Sequence, residues 1–228
     1  MEIICKYFIY FIIYSFIGWL LEVICKYFQY KRFINRGFLI GPICPIYGYG
    51  VLGILFLIGK NTNDYLAVFL KAILICSLLE YFTSYFMEKL FKARWWDYSK
   101  RKFNINGRIC LETMLPFGIL GCLVVYIIHP LIEKLILLIN SKTLIIIAVF
   151  LFIIYLVDNI ISFNVMSKIK NQIINKRIDS TEAIRKRVIK WIESNSYLYN
   201  HIKNAYPHFI ITDKITKKIK KVTKLWYN

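Results

Sequence analysis

Acidic residues are scarce in this chain. Thirteen Asp and Glu stand against 31 Lys and Arg in 228 residues, giving a formal net charge of +18. Histidine is scarcer still: His129, His201 and His208 are the three, and none has metal-ligand spacing. The six cysteines, Cys5, Cys25, Cys44, Cys76, Cys110 and Cys122, include no CxxC pair. They lie within or beside apolar runs, where a free thiol behaves as a small hydrophobe, so neither a disulfide framework nor a metal site is expected. No nucleophile, base and orienting acid stand in a recognisable order. The stretch Gly53 to Asn61 superficially resembles a phosphate loop, but its spacing is wrong and Asn61 stands where Ser or Thr would be needed. The chain is therefore not expected to be an enzyme or to carry a cofactor. With 58% hydrophobic residues and a mean hydropathy of +0.52, the basic excess reads as loops of a membrane protein rather than as a nucleic-acid surface.

What is present is apolar runs of the length that crosses about 30 Å of hydrocarbon. The first, from about Ile3 to Phe28, is too long for a cleavable signal peptide and lacks a small-residue cleavage site, so it reads as a signal anchor. A short Gly-rich run follows from Pro45 to Ile58, then runs from Tyr65 to Phe86, Glu112 to Ile132 and Thr143 to Phe163. His129-Pro130 should bend the fourth near its end. The expected fold is all-α: a polytopic bundle of about five transmembrane helices over residues 1–165, with a basic helical tail over 166–228.

Charge sets the expected orientation. Four basic residues lie in Lys26–Arg36, seven in Lys89–Arg108 and fifteen after Met166. Five spans place all three segments on one side, leaving Lys6, Lys60, Lys134 and Lys142 near the boundaries of the other. The positive-inside rule then puts the tail in the cytoplasm and the N-terminus outside a bacterial cell membrane. In the tail, Asp179-Ser180-Thr181-Glu182 reads as a helix start. Farther on, Ile211, Ile215, Ile219, Val222 and Leu225 form one helical face. Lys214, Lys217, Lys218, Lys221 and Trp226 would meet anionic lipid headgroups around it.

The sequence also repeats itself at an offset of 58. Leu20-Leu21-Glu22 matches Leu78-Leu79-Glu80, Tyr27-Phe28 matches Tyr85-Phe86, and Lys31, Phe33 and Arg36 match Lys89, Phe91 and Arg94. Gly41-Pro42-Ile43-Cys44 similarly resembles Gly107-Arg108-Ile109-Cys110. The copies, about 3–58 and 65–132, would run the same way through the membrane, with the span at 143–163 outside the duplication. Parallel repeats occur in transporters, with sites at the repeat interface.

An ionised carboxylate in hydrocarbon is costly, so it faces the bundle interior and finds a partner. Glu22 and Glu80 are the leading candidates for a substrate or ion pathway, with Glu112 and Asp158 at a similar level and Arg36, Arg94 and Arg108 as cationic partners. Structural Glu–Arg pairs would satisfy the same requirement. The Gly- and Pro-rich segment from Asn35 to Gly50, with Gly41, Pro42, Pro45 and Gly48, reads as a re-entrant or broken-helix entry to the second span, or else as an interfacial turn. Arg94-Trp95-Trp96-Asp97-Tyr98 reads as an interfacial anchor, and Asn104 to Arg108 as a turn that aims Arg108 back at the acids.

GWLLE at Gly18–Glu22, NRGFLIGPICPIYG at Asn35–Gly48, LEYFTSYFMEKLFKARWWDYS at Leu79–Ser99 and NINGRICLE at Asn104–Glu112 occur in order. This combination resembles the type IV ABC-transporter permease family, also called CmpB-like, and AYPHF at Ala205–Phe209 resembles a feature of that family's tail. The resemblance implies a membrane permease component whose ATPase, absent from this chain, would be a separate subunit. It does not imply a substrate. The alternative is a non-transporting interaction or scaffold protein that docks a cytoplasmic partner or anionic lipid. A homo-oligomer is compatible with either.

Overall fold

The computed structural model describes residues 1–58, 64–91, 93–175, 201 and 210–211. Helix dominates, as the apolar runs require: backbone groups in hydrocarbon must be satisfied within the segment. Helix α1 spans Glu2–Tyr30, α2 Pro45–Ile58, α3 Tyr65–Phe91, α4 Leu111–Leu123, α5 His129–Leu137 and α6 Ser141–Asn175. A π-helical turn over Val124–Ile128 joins α4 to α5. Among the described residues, four helical stretches are long and apolar enough to cross a membrane: α1, α3, the continuous α4–π–α5 run and α6. The second apolar run, α2, is a shorter helix of 14 residues, roughly 21 Å at 1.5 Å per residue.

Local chemistry fixes the helix ends. The Asp64 carboxylate accepts the amide of Ala67 at 3.0 Å to start α3, and the Asn140 side chain accepts the amide of Thr143 at 2.8 Å to start α6. Lys31 closes α1 in the left-handed region (φ 55) and donates its amide to the Tyr27 carbonyl at 2.8 Å. In the fourth run the distortion begins before His129-Pro130. Pro130 has no amide to donate and its ring would strike the preceding turn; the π turn immediately ahead of it absorbs that conflict. Helix α6 continues unbroken past residue 165 to Asn175.

Neighbouring helices alternate in direction. Tyr7 of α1 packs on Phe56 of α2 and Phe11 on Tyr49, so this pair is antiparallel. Gly50 of α2 lies against Cys76 and Leu79 of α3, and Ile58 clusters with Val68. Tyr65 of α3 meets Tyr126 in the π turn. Phe8 and Phe11 of α1 meet Phe152 and Tyr155 of α6, so those two helices are parallel. Segments 31–44 and 93–110 and the C-terminal part of α6 therefore gather at one end of the bundle. At the other end Lys6 pairs with Glu133 at 3.5 Å. One core joins α1, the π turn, α5 and α6, and a second joins α2, α3 and α4.

The aromatic loop is folded inward, contrary to the anchoring role expected of it. Trp95 is 2% exposed and packs with Phe38, Phe91 and Met166, because the loop roofs the gap between the ends of α3 and α6. The short strand β1 (Ala93–Arg94) pairs with β4 (Ile210–Ile211). Ile211, expected to open a helical stripe in the tail, is thus strand; a two-residue ladder satisfies backbone groups that a helix start would leave open. The rest of that stripe, the lysines and tryptophan expected around it (Lys214, Lys217, Lys218, Lys221 and Trp226) and the helix start at Asp179 lie outside the described residues.

Candidate functional site

The loop that enters α2 builds one side of the site. The amide of Cys44 donates to the carbonyl of Ser15 at 2.9 Å, and Ser15 lies halfway along α1. From Tyr30 back to Ser15 is roughly 22 Å of helix, so non-helical backbone runs deep beside α1 before α2 begins at Pro45. Gly48 permits this approach: a Cβ there would overlap the Ser15 hydroxyl and the Phe11 carbonyl. Ile34, Leu39 and Cys44 are buried along the way.

Buried backbone must find hydrogen-bond partners, and three side chains supply most of them. Asp158 of α6 accepts the amides of Ile40 and Gly41, each at 2.9 Å, while the Ser162 hydroxyl donates to it at 3.1 Å. A Cβ on Gly41 would sit 2.8 Å from the same carboxylate. Asn35 donates to the Ile40 carbonyl at 2.9 Å and accepts from the Trp19 indole at 2.6 Å. His201 Nε2 lies 2.9 Å from the Leu39 carbonyl. Burial holds that imidazole below the usual histidine range despite the carbonyls of Leu39 and Gly37, so the neutral ring donates to Leu39.

Of the candidate acids and cations, Glu22 and Arg36 meet at 3.3 Å, and the Tyr47 hydroxyl donates to the other Glu22 oxygen at 2.8 Å. Glu80 is different. It is 8% exposed, the Tyr98 hydroxyl donates to its Oε1 at 3.4 Å, and its Oε2 has no hydrogen-bond partner among the described residues. The Tyr98 phenol is pushed well above its usual range, first by burial and then by the charges of Glu80 and Glu22. Both acids therefore act on one tyrosine from α1 and α3.

The other candidates divide away from this pair. The turn expected to aim Arg108 at those acids carries it instead to Glu88. Asn106 and Gly107 are both left-handed (φ 53 and 67), and the Arg108 amide closes on the Ile105 carbonyl at 3.0 Å, a type I′ turn between β2 (Asn104–Ile105) and β3 (Ile109–Cys110). Its guanidinium reaches Glu88 at 2.7 Å and donates to the Ser84 hydroxyl at 3.1 Å. Arg94 also pairs with Glu88, at 3.2 Å, and with Asp97 at 3.3 Å. Burial works to raise the Asp97 carboxyl, but hydrogen bonds from Ser99 and the charge of Arg94 hold it below the usual carboxylate range. Glu112 is exposed, pairing with Arg101 at 2.9 Å on the outside of the bundle, and does not join the interior acids. The hinge of this ion network, Glu88, was missed in the sequence, as were Tyr47 and Tyr98. Its signal was there: Ser77, Glu80, Ser84 and Glu88 recur at helical spacing on one face of α3.

Among the described residues no group of His, Cys, Asp and Glu is arranged to hold a metal ion. No curated protein and no solved structure matches the chain. A family model does, over residues 9–163, which takes in α1 through most of α6. That stretch contains every residue of the interior site except His201, and on its strength the chain belongs to the family described as Putative ABC-transporter type IV.

Proposed function

We propose that this chain is a membrane-embedded permease component that works with a separate ATPase subunit, at the cell membrane of a bacterium. The observation that supports it most directly is the depth at which α2 begins. Backbone that is not helical is tolerated at membrane depth where it is buried in protein or lines a polar cavity, and broken helices of this kind mark the binding regions of transporters. Here the break brings Tyr47, Glu22 and Arg36 together opposite Glu80. In this reading α2 completes a fifth crossing together with the extended segment before it. The two sequence copies then pair α1 with α2 and α3 with α4. The three basic segments face the cytoplasm, where an ATPase would dock, and the chain itself catalyses no reaction.

The test is purification of the full chain in mild detergent with identification of stoichiometric partners, followed by co-reconstitution in liposomes. An ATPase whose ATP turnover changes when this chain is present supports the proposal. A stoichiometric partner without ATPase activity favours instead a scaffold that uses the basic end of the bundle for docking.

A further inference from the structure

Four acids carry the interior charge that the sequence offers, and the structure gives three of them an occupation. Glu22 is neutralised by Arg36 and held by Tyr47. Asp158 is spent on the amides of Ile40 and Gly41. Glu112 lies outside with Arg101. Glu80 has no such partner among the described residues. The cation nearest in sequence register, Arg94, and the inward-turned Arg108 are both committed to Glu88, two turns farther along α3. Glu80 is thus a carboxyl more than nine-tenths buried, with one oxygen facing a single phenol and the other facing no donor.

A carboxylate in those surroundings would be an uncompensated buried charge, which proteins avoid by neutralising the group. The groups around it do not offer that charge. On α3 itself the flanking side chains are Cys76, Ser77 and Ser84; α2 contributes Tyr47, α1 contributes Glu22, and the loop contributes Tyr98. None of these described groups is a cation, and the nearby Glu22 carboxylate is already paired with Arg36.

We propose that Glu80 is a proton-binding site: its Oε2 carries a proton at rest, and exchanges it with water at the basic end of the bundle past Tyr98. Release breaks the Oε2–H bond, passes the proton to water and leaves a carboxylate that the Tyr98 hydroxyl stabilises through Oε1; uptake is the reverse. The site follows from the surroundings of Glu80 and does not depend on an ATPase partner. It would let a change in the loop at 93–110, which carries Tyr98, set whether Glu80 holds a charge.

A hydrophobic carbodiimide tests this, because it modifies a carboxyl only in its protonated form and enters from the lipid. The full chain in liposomes is treated across a pH series and the modified residue is mapped by peptide mass. Adduct is expected at Glu80, declining as pH rises, with Glu22 and Asp158 unmodified, and complete loss of label in Glu80→Gln. Infrared difference spectra of the unmodified native chain give a reading that needs no variant: a protonated-carboxyl band that disappears with alkalinity. Adduct at Glu22 or Asp158 in place of Glu80, or native protein with neither a Glu80 adduct nor that band at any pH, would overturn the proposal.

Discussion

Replacing Asp158 by Ala should release the segment that enters α2. Two backbone amides, of Ile40 and Gly41, would lose their acceptor at 2.9 Å, and the Ser162 hydroxyl would lose its own. Each buried amide left without a partner costs about 1–3 kcal/mol. Because Ile40 and Gly41 are only half-buried, water recovers part of this, and a total of about 2–4 kcal/mol is expected. For a chain of this size that corresponds to a fall in the unfolding midpoint on the order of 10 °C. The Asn variant should fall between: it keeps one acceptor oxygen but turns a donor toward an amide that needs an acceptor. The segment itself can be watched through Cys44, which is buried and contacts the Arg36 carbonyl at 3.7 Å. In a chain whose other five cysteines are replaced, thermal unfolding with a thiol-reactive dye should show Asp158→Ala melting earlier and Cys44 labelled while the bundle remains folded. An unchanged midpoint with Cys44 still protected would refute the idea that Asp158 holds this backbone in place.

Neutralising the two remaining acids should separate interior from surface. Glu22→Gln removes a charge from Arg36 and weakens the bond from Tyr47, and is expected to lower stability by about 1–3 kcal/mol; Glu112→Gln breaks an exposed pair and should change it by less than about 0.5 kcal/mol. Equal effects in thermal unfolding would contradict this assignment of depth. In sealed cells an impermeant thiol reagent should label Ser141→Cys but not Lys100→Cys, each on a cysteine-free background. External labelling of Lys100→Cys would break the orientation taken from the charge count.

Much of the architecture was legible in the residues because hydrocarbon leaves few choices. Runs of about 20 apolar residues in lipid must be helices; α1 and α3 follow those runs closely, and α6 begins with its run but extends beyond it to Asn175. The short Gly-rich run at Pro45–Ile58 marked itself by length. The acids and their candidate cations could be named in advance, because a carboxylate in an apolar run needs a partner, but which cation meets which acid could not. The occupation of the acids could not be read this way. Asp158 is more than a hundred residues from the amides it accepts, and nothing in its own neighbourhood announces a loop packed against α6. Arg94 aligns with Arg36 at the offset of 58, yet it turns to Glu88, where the hairpin at 104–110 also delivers Arg108. Among the described residues this leaves Glu80 without a cation. The sequence by itself determined which residues lie in helices and which carboxylates stand among them, since both follow from local composition. Only the tertiary structure decided which carboxylates are neutralised, because that depends on which distant donors the packed loops deliver within 3 Å or so of each oxygen.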